Sequence, residues 1–181
     1  LAPQLIRARL PRATVLACGT LMTPVLLARQ GLGRALPELG RNLSLHPATM
    51  VSALFAEDIR GYAAIPQGYC VDEFQRSEGI LLLGASAPID LGAAQFTFVG
   101  RRLVEVMERY HQVASFGVMV EDASRGRVTV GPGGRPLVRY WLGREERRRL
   151  LRGAEILARI FLAAGAEEVW PALHGHRVIT D

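Results

Sequence analysis

The sequence contains few cysteines and no long hydrophobic run. Cys18 and Cys70 are the two cysteines, too few for a disulfide framework. Cys18 ends a short apolar segment, which predicts a buried, reduced thiol and favours a cytoplasmic protein. No apolar stretch approaches the roughly 20 residues that cross a bilayer, so we predict no transmembrane helix.

The sequence also lacks a basic cluster interleaved with aromatic residues. Its net charge is +5, from 22 basic and 17 acidic residues, with arginine supplying the positive charge. The densest basic run, 144–149, contains Glu145 and Glu146, which predicts a solvated helix face with local ion pairs. We therefore predict no nucleic-acid partner.

Motifs for phosphate loops and metal sites are missing as well. The run Gly131–Gly134 lacks the Gly-Lys-Ser/Thr ending of a phosphate loop and predicts a hairpin turn. His174 and His176 form a His-x-His pair without cysteines or carboxylates at suitable spacing. This pair predicts an exposed loop, and we predict no metal site.

The length and composition are those of one ordinary domain with a hydrophobic core. The chain has 181 residues, of which 49% are hydrophobic. It begins at Leu1 without a basic segment leading into an apolar one. We therefore expect a piece of a longer protein.

The stretch from Arg12 to Gly33 predicts a strand, a tight turn and a helix. Thr14–Cys18 is an apolar run of strand type that ends at Gly19. Thr23 is suited to cap a helix and Pro24 to occupy its first position, so the helix is expected over Val25–Arg29. This geometry would direct free backbone N–H groups at an anionic ligand.

Hydrophobic periodicity predicts the remaining elements. The predicted strands are Ala48–Phe55, Ile80–Leu83, Ser115–Glu121, Arg127–Val130, Leu137–Leu142 and Glu167–Trp170. The predicted helices are Phe98–His111 and Gly143–Ala164. Turns rich in Gly, Pro and Asp join the three strands between 115 and 142, which predicts an antiparallel meander. The order indicates an α+β fold, a mainly antiparallel sheet flanked by helices.

The turn-and-helix stretch resembles the second signature of the glucose–methanol–choline (GMC) family of flavoprotein oxidoreductases. The residues that match are Gly19-Thr20, Thr23-Pro24, Leu26-Leu27 and Gly31-Leu32-Gly33. Gln30 stands where the family usually has Ser. Gly40–Pro47 resembles the family stretch that leads from the flavin domain towards the substrate domain. Segments such as Val106–Tyr110 are most similar to the long-chain alcohol oxidase branch.

The resemblance implies FAD as the cofactor and a division of the chain. Residues 1–40 would be the C-terminal part of the FAD-binding domain, and residues 41–181 a substrate-binding domain. The residues that would contact FAD are Cys18, Gly19, Thr20, Thr23 and Pro24. Asn42 and His46 would line the substrate side, although their chemistry in a turn-rich segment also suits local backbone hydrogen bonds.

The catalytic part of the family pattern is not found in this sequence. The family's catalytic histidine lies in a His-x-x-Gly-Thr-type motif, and none of the four histidines has that context. We therefore assign no catalytic residue. We expect a piece of an FAD-dependent alcohol oxidoreductase that forms the pocket wall for a small alcohol. By itself it is expected to bind no FAD and to be inactive. The family's cholesterol oxidase branch has a glutamate near the strand that resembles Ile80–Pro88. No carboxylate lies between Gly79 and Ile89 here, so a steroid isomerase step is not expected.

Two other functions fit the residues without the resemblance. One is a non-catalytic α+β module that binds an apolar ligand, and the other is a domain whose helix faces pack on a partner protein.

A further expectation concerns assembly. An unpaired strand at Thr14–Cys18 would pair with a second copy, so a homodimer through the N-terminal third is expected.

Overall fold

The computed structural model describes residues 13–173 and 178–180, so His174 and His176 lie outside the described residues. The chain divides into two compact units. One unit contains the residues up to Leu43 together with Arg125–Tyr140, and the other contains Ser44–Ser124 and the residues from Trp141 onward. The domain boundary expected after residue 40 stays a prediction.

Helices and strands are interspersed along the chain without regular alternation, as in an α+β fold. The helices are α1 (Gly19–Arg29), α2 (Gln75–Glu78), α3 (Ile89–Gly92), α4 (Arg101–Glu108) and α5 (Arg144–Ala163). The strands are β1 (Ala48–Leu54), β2 (Cys70–Val71), β3 (Ile80–Gly84), β4 (Val113–Val120), β5 (Arg127–Val130), β6 (Pro136–Arg139) and β7 (Glu168–Pro171). The α+β class and the mainly antiparallel sheet are therefore confirmed.

The larger unit is built on a five-stranded sheet of order β2-β3-β4-β1-β7. All of its pairings are antiparallel. Val51 lies opposite Phe116 on one side and opposite Pro171 on the other, which places β1 inside the sheet. Because side chains alternate along each strand, the register divides the sheet residues into two faces.

Helix α5 covers one face of this sheet. Its apolar positions Leu150, Ala154, Leu157 and Phe161 recur every three or four residues, as an amphipathic helix requires. The cluster they join also contains Val51, Ala53, Ile80, Leu82, Val118, Val120 and Val169. Gly153 allows the close approach, since a Cβ there would overlap Val118 Cγ1. This packing forms the main core.

The opposite face is covered over only part of its area. Leu54, Val106, Tyr110, Val113 and Trp170 form a second buried cluster there. The rings of Phe96 and Phe98 meet the Trp170 ring edge to face. The covered area thus includes the Leu54–Val113 pair, and the other ends of β1 and β4 lie outside this cluster.

The smaller unit packs α1 against the hairpin of β5 and β6. Val25, Leu43 and Val128 form its buried cluster. The hairpin turn expected at Gly131–Gly134 is confirmed, because β5 and β6 pair across it. Gly40 lies so close to β5 that a Cβ there would overlap the Val128 carbonyl oxygen.

The strand–turn–helix prediction for the N-terminal stretch is wrong in its first half. Residues 13–18 form no strand, and α1 begins at Gly19 instead of after Thr23. Pro24 lies inside the helix and Thr23 does not cap it. A strand needs a partner for its backbone groups, and no described strand pairs with Thr14–Cys18. Cys18 is exposed, so the buried thiol is also a wrong prediction.

The meander prediction is wrong for a related reason. β4 pairs with β1 on one edge and β3 on the other, so neither edge is free for β5. β5 and β6 instead form a separate two-stranded sheet. Local turn signals predicted the strands correctly, but long-range pairing decided their partners. Among the described residues no helix is long and apolar enough to span a bilayer.

Candidate functional site

The uncovered part of the larger sheet has an apolar surface, which we call the open sheet face. It consists of Ala48 and Met50 on β1, Gly117 and Met119 on β4, and Leu81 and Leu83 on β3. The register places Gly117 directly between Met50 and Leu83, and Met119 between Ala48 and Leu81. Neighbouring strands lie about 4.8 Å apart, so these three strands present a surface about 10 Å wide.

Three adjoining cavities follow the open sheet face, and together we call them the trough. Their volumes are about 420, 530 and 650 Å³, within the range of small-molecule sites. The first two share Met50 and Gln95, and the first and third share Met119. The trough therefore follows the sheet as a row of adjoining cavities, and the apolar lining of the 420 Å³ cavity is a surface suited to a hydrocarbon chain.

Polar groups line the trough at two places. Gln95 lines the 420 and 530 Å³ cavities, and its Oε1 is buried without a hydrogen-bond partner among the described residues. His46 lines the 650 Å³ cavity with Arg76 and Glu121, and it is exposed. The arrangement can bind a mainly apolar molecule that carries a polar group.

A pair of hydroxyl groups separates the open and covered parts of this face. Ser52 and Ser115 lie opposite each other, and their Oγ atoms are 2.8 Å apart. They are 3% and 7% exposed. Because side chains alternate, this pair follows the Met50–Gly117 row and precedes the Leu54–Val113 row. The mutual hydrogen bond offsets the cost of burying the two hydroxyls.

The predicted FAD-contacting residues lie on and just before α1. Cys18, Gly19 and Thr20 are exposed at its N-terminus, whereas Thr23 and Pro24 are half-buried in its second turn. Cys18 is the N-cap residue and makes no side-chain capping bond, and the first turn has no acidic residue. Gly19 has φ +77°, and nothing lies within 4 Å of where its Cβ would be. Uncapped N–H groups at a helix start fit an anion such as the pyrophosphate of FAD.

The two predicted substrate residues lie in different units. Asn42 belongs to the smaller unit, where it has φ 59° and its side-chain amide donates a 3.0 Å hydrogen bond to Glu38. His46 belongs to the larger unit and lines the trough. The structure thus brings His46, but no other predicted site residue, to the trough.

The loop after β4 is held by a buried carboxylate. Glu146 is 1% exposed, and its Oε1 accepts the N–H groups of Ala123 and Ser124 at 2.8 and 2.7 Å. Hydrogen bonding to its own backbone N–H, and then to Ser124 and Ala123, lowers the pKa of Glu146 to about 2, although burial opposes this. Its ionised form therefore anchors the loop, and we assign it no proton-transfer role.

No metal site emerges from the part of the chain that the structure describes. No group of three His, Cys, Asp or Glu side chains there could hold an ion. Cys18 and Cys70 are both free and exposed.

Comparison with known proteins places these features in a family. Residues 5–48 match the family model described as GMC oxidoreductase. An uncharacterized GMC-type oxidoreductase of Mycobacterium tuberculosis strain H37Rv is 39% identical over 163 residues, which are 90% of this chain and 26% of the relative. A long-chain-alcohol oxidase of Arabidopsis thaliana is 27% identical over a 174-residue alignment that covers 87% of this chain and 23% of the relative.

A third relative is an uncharacterized GMC-type oxidoreductase of Sinorhizobium fredii. It is 30% identical over a 181-residue alignment that covers 97% of this chain and 34% of the relative. This chain therefore spans about a quarter to a third of the length of these relatives. These similarities relate the chain to the GMC oxidoreductase family.

Sequence reasoning missed most of the trough. Gly117, Met50 and Met119 lie on strands whose existence was predicted, but the exposed face depends on which helices cover the sheet. Gln95 was not predicted either. The one signal for it is that Gln95 and Thr97 are the two polar side chains in the mostly apolar run 91–98.

Proposed function

We propose that this chain forms the substrate-pocket wall of an FAD-dependent oxidoreductase that oxidises a primary or apolar alcohol to an aldehyde or ketone. The observation that carries the proposal is the open sheet face, an apolar surface in the larger unit of a chain that is similar to GMC oxidoreductases. The similarity to long-chain-alcohol oxidases supports an alcohol with a hydrocarbon chain.

In this proposal, α1 holds the phosphate part of FAD. The N–H groups at Gly19 and Thr20 would donate to the pyrophosphate, with the exposed Cys18 beside them. Thr23 and Pro24 would act indirectly by fixing the position of the helix, since a Cβ on Gly40 would lie 3.6 Å from Pro24 Cβ. When bound, FAD supplies the hydride acceptor.

The residues of the larger unit would bind and orient the alcohol. The open sheet face would pack against its hydrocarbon part and exclude water from it. His46 would contact the substrate at one end of the trough. Asn42 is a weaker candidate because its amide is engaged by Glu38. We assign no base that accepts the alcohol proton.

Two further parts of the proposal concern location and assembly. Free thiols at Cys18 and Cys70 support a cytoplasmic protein. A homodimer through the N-terminal third is supported by exposed apolar side chains, since Val15 is 87% and Leu16 is 44% exposed. This replaces the edge strand as the basis for the dimer.

The test is the absorption spectrum of the whole protein that carries this chain, before and after an aliphatic alcohol is added without oxygen. We expect a flavin spectrum that bleaches on addition of the alcohol. A protein without flavin would contradict the redox assignment and favour a non-catalytic module that binds an apolar ligand.

A further inference from the structure

Three side chains that can donate hydrogen bonds line the 650 Å³ cavity of the trough. They are His46, Gln75 and Arg76, and all three are exposed. Among residues 13–173 and 178–180, none of these side chains has a hydrogen bond or an ion pair with another residue. An imidazole, an amide and a guanidinium can each donate to an acceptor, so this wall offers donors to a ligand.

Two arginines of helix α5 show what Arg76 lacks. Arg149 Nη1 lies 3.5 Å from Glu121 Oε2. Arg152 Nε lies 3.3 Å from Glu78 Oε2. The guanidinium of Arg76 has no such counter-charge in the part of the chain that the structure describes. Because a guanidinium can bind both oxygens of a carboxylate, Arg76 is able to bind a carboxylate from outside the chain.

The acidic side chain that lines the same cavity is already engaged. Glu121 forms the ion pair with Arg149 given above, and Arg149 Nη1 also donates to the backbone oxygen of Glu121 at 3.1 Å. Arg149 thus offsets the negative charge of Glu121, and Arg76 supplies the positive charge that remains on the cavity wall. The charges around this cavity therefore favour an anion over a cation.

The donor-lined cavity adjoins an apolar one. Leu81 and Met119 line the 650 Å³ cavity beside Arg76, and Met119 also lines the 420 Å³ cavity. No side chain that lines the 420 Å³ cavity is charged. A charged group would lose its hydration there without a counter-charge, whereas it meets Arg76 in the 650 Å³ cavity. The two cavities together fit a molecule with an apolar chain and a carboxylate.

We propose that the trough binds an alcohol whose hydrocarbon chain ends in a carboxylate, which is an ω-hydroxycarboxylate. Arg76 binds the carboxylate, with His46 and Gln75 as further donors. The chain passes over Met119 into the 420 Å³ cavity, and the hydroxyl group lies at its other end. The choice of an alcohol rests on the proposed function, whereas the carboxylate follows from the side chains that line the 650 Å³ cavity.

The experiment compares two ligands that differ in one charge. ω-Hydroxydecanoate is ionised at pH 7, and its methyl ester has the same chain and hydroxyl group without the charge. Binding of each to the whole protein that carries this chain is measured by ligand-detected NMR, which needs no flavin signal. We expect the carboxylate to bind about five- to tenfold more tightly at low salt, the effect of charge-assisted hydrogen bonds. Equal affinities, or no binding of either ligand, would overturn the proposal.

Variants assign the preference to one guanidinium. Arg76→Gln removes the charge and should reduce the preference for the carboxylate below about twofold. Because Arg76 is exposed, this variant should melt like the parent protein, and Arg76→Ala replaces it if it does not. Arg101→Gln is the matched control. Arg101 is also exposed and lacks an ion pair within the described residues, but it lines none of the three cavities of the trough. A preference that survives the loss of Arg76, or that falls equally in Arg101→Gln, would contradict the proposal.

Salt and flavin supply two further readouts. The preference for the carboxylate should shrink when salt is raised from about 20 mM to about 500 mM, because exposed charges are screened. A preference independent of salt would contradict the role of charge. Failure of this proposal is distinct from failure of the redox function. Bound flavin with equal affinities for acid and ester would refute only the Arg76 site. A preference that depends on Arg76 in a protein without flavin would refute only the redox function.

Discussion

Glu146 Oε1 accepts the backbone N–H of Ser124 at 2.7 Å, across 22 residues of chain. The contact fixes the loop that follows the central strand β4 to the first turn of α5. The carboxylate is buried, and its low pKa shows that the folded state favours the ionised form.

Stability should therefore depend on pH through Glu146. Its pKa is about 2 in the folded chain and near the ordinary 4.5 when unfolded. A carboxyl group whose pKa is lower in the folded chain than in the unfolded chain stabilises the fold at pH values above the unfolded pKa. This stabilisation is lost as the pH falls from about 4.5 towards 2. Urea unfolding between pH 7 and 3 should show this loss in the parent chain and a smaller loss in Glu146→Gln.

At pH 7, Glu146→Gln should lower the free energy of unfolding by on the order of 2 kcal/mol, because charged acceptors bond more strongly. Glu145→Gln is the matched control. That neighbour is half-buried and pairs with Arg148 and Arg149 without accepting the loop N–H groups, so its replacement should change the stability less. Equal effects of both changes would contradict the anchoring role of Glu146.

Gly153 should be intolerant of a side chain despite lying in a helix. Alanine would gain about 1 kcal/mol of helix propensity there. It would also overlap Val118 Cγ1 in the tightly packed core, at a cost of about 1–3 kcal/mol. We expect Gly153→Ala to destabilise the chain in denaturant unfolding.

A double-mutant cycle can test whether the overlap with Val118 causes the destabilisation by Gly153→Ala. Val118→Ala removes the overlapping methyl, so Gly153→Ala should cost less on that background. Strict additivity of the two changes would exclude the overlap as the cause.

Thr23→Ala distinguishes a helix interior from a helix cap. Thr23 is the fifth residue of α1, where alanine is the better helix former. The free energy of unfolding should stay the same or rise by up to about 0.5 kcal/mol. A loss of about 1 kcal/mol, typical of removing a threonine cap, would restore the original prediction that the helix begins after Thr23.

FAD binding should respond to charge at the start of α1. In the whole protein, Gly19→Asp would place a carboxylate beside the proposed pyrophosphate, and FAD should bind at least tenfold more weakly. Gly31→Asp is a close control, since both glycines have φ near 78° and open space at Cβ. Fluorescence titration with FAD measures both. Equal weakening would attribute the effect to backbone strain.

Self-association should depend on the exposed apolar residues before α1. Replacing Val15 and Leu16 by serine should shift light scattering from dimer to monomer, because both side chains are exposed. Serine at Ile65, which is 79% exposed in the larger unit, is the control and should leave the dimer intact. A parent chain that is already monomeric would refute the proposed dimer.

The sequence determined the local elements and the family. The apolar period of four and three residues from Leu150 to Phe161 predicted α5 to within a residue at each end. The run at Ile80 predicted β3, and the ordered motifs predicted the GMC family that the comparisons confirm. Such features depend on near neighbours in the chain, so they can be read without knowing what packs on them.

Tertiary structure alone decided which strands pair and which face stays open. Residues 14–18 have the side chains of a strand, yet they form none without a pairing partner among the described residues. β4 lies beside β1 and β3 because of contacts between distant residues, which left β5 to form its own hairpin. Gln95 and Gly117 face one cavity for the same reason, since no spacing in the sequence encodes their meeting.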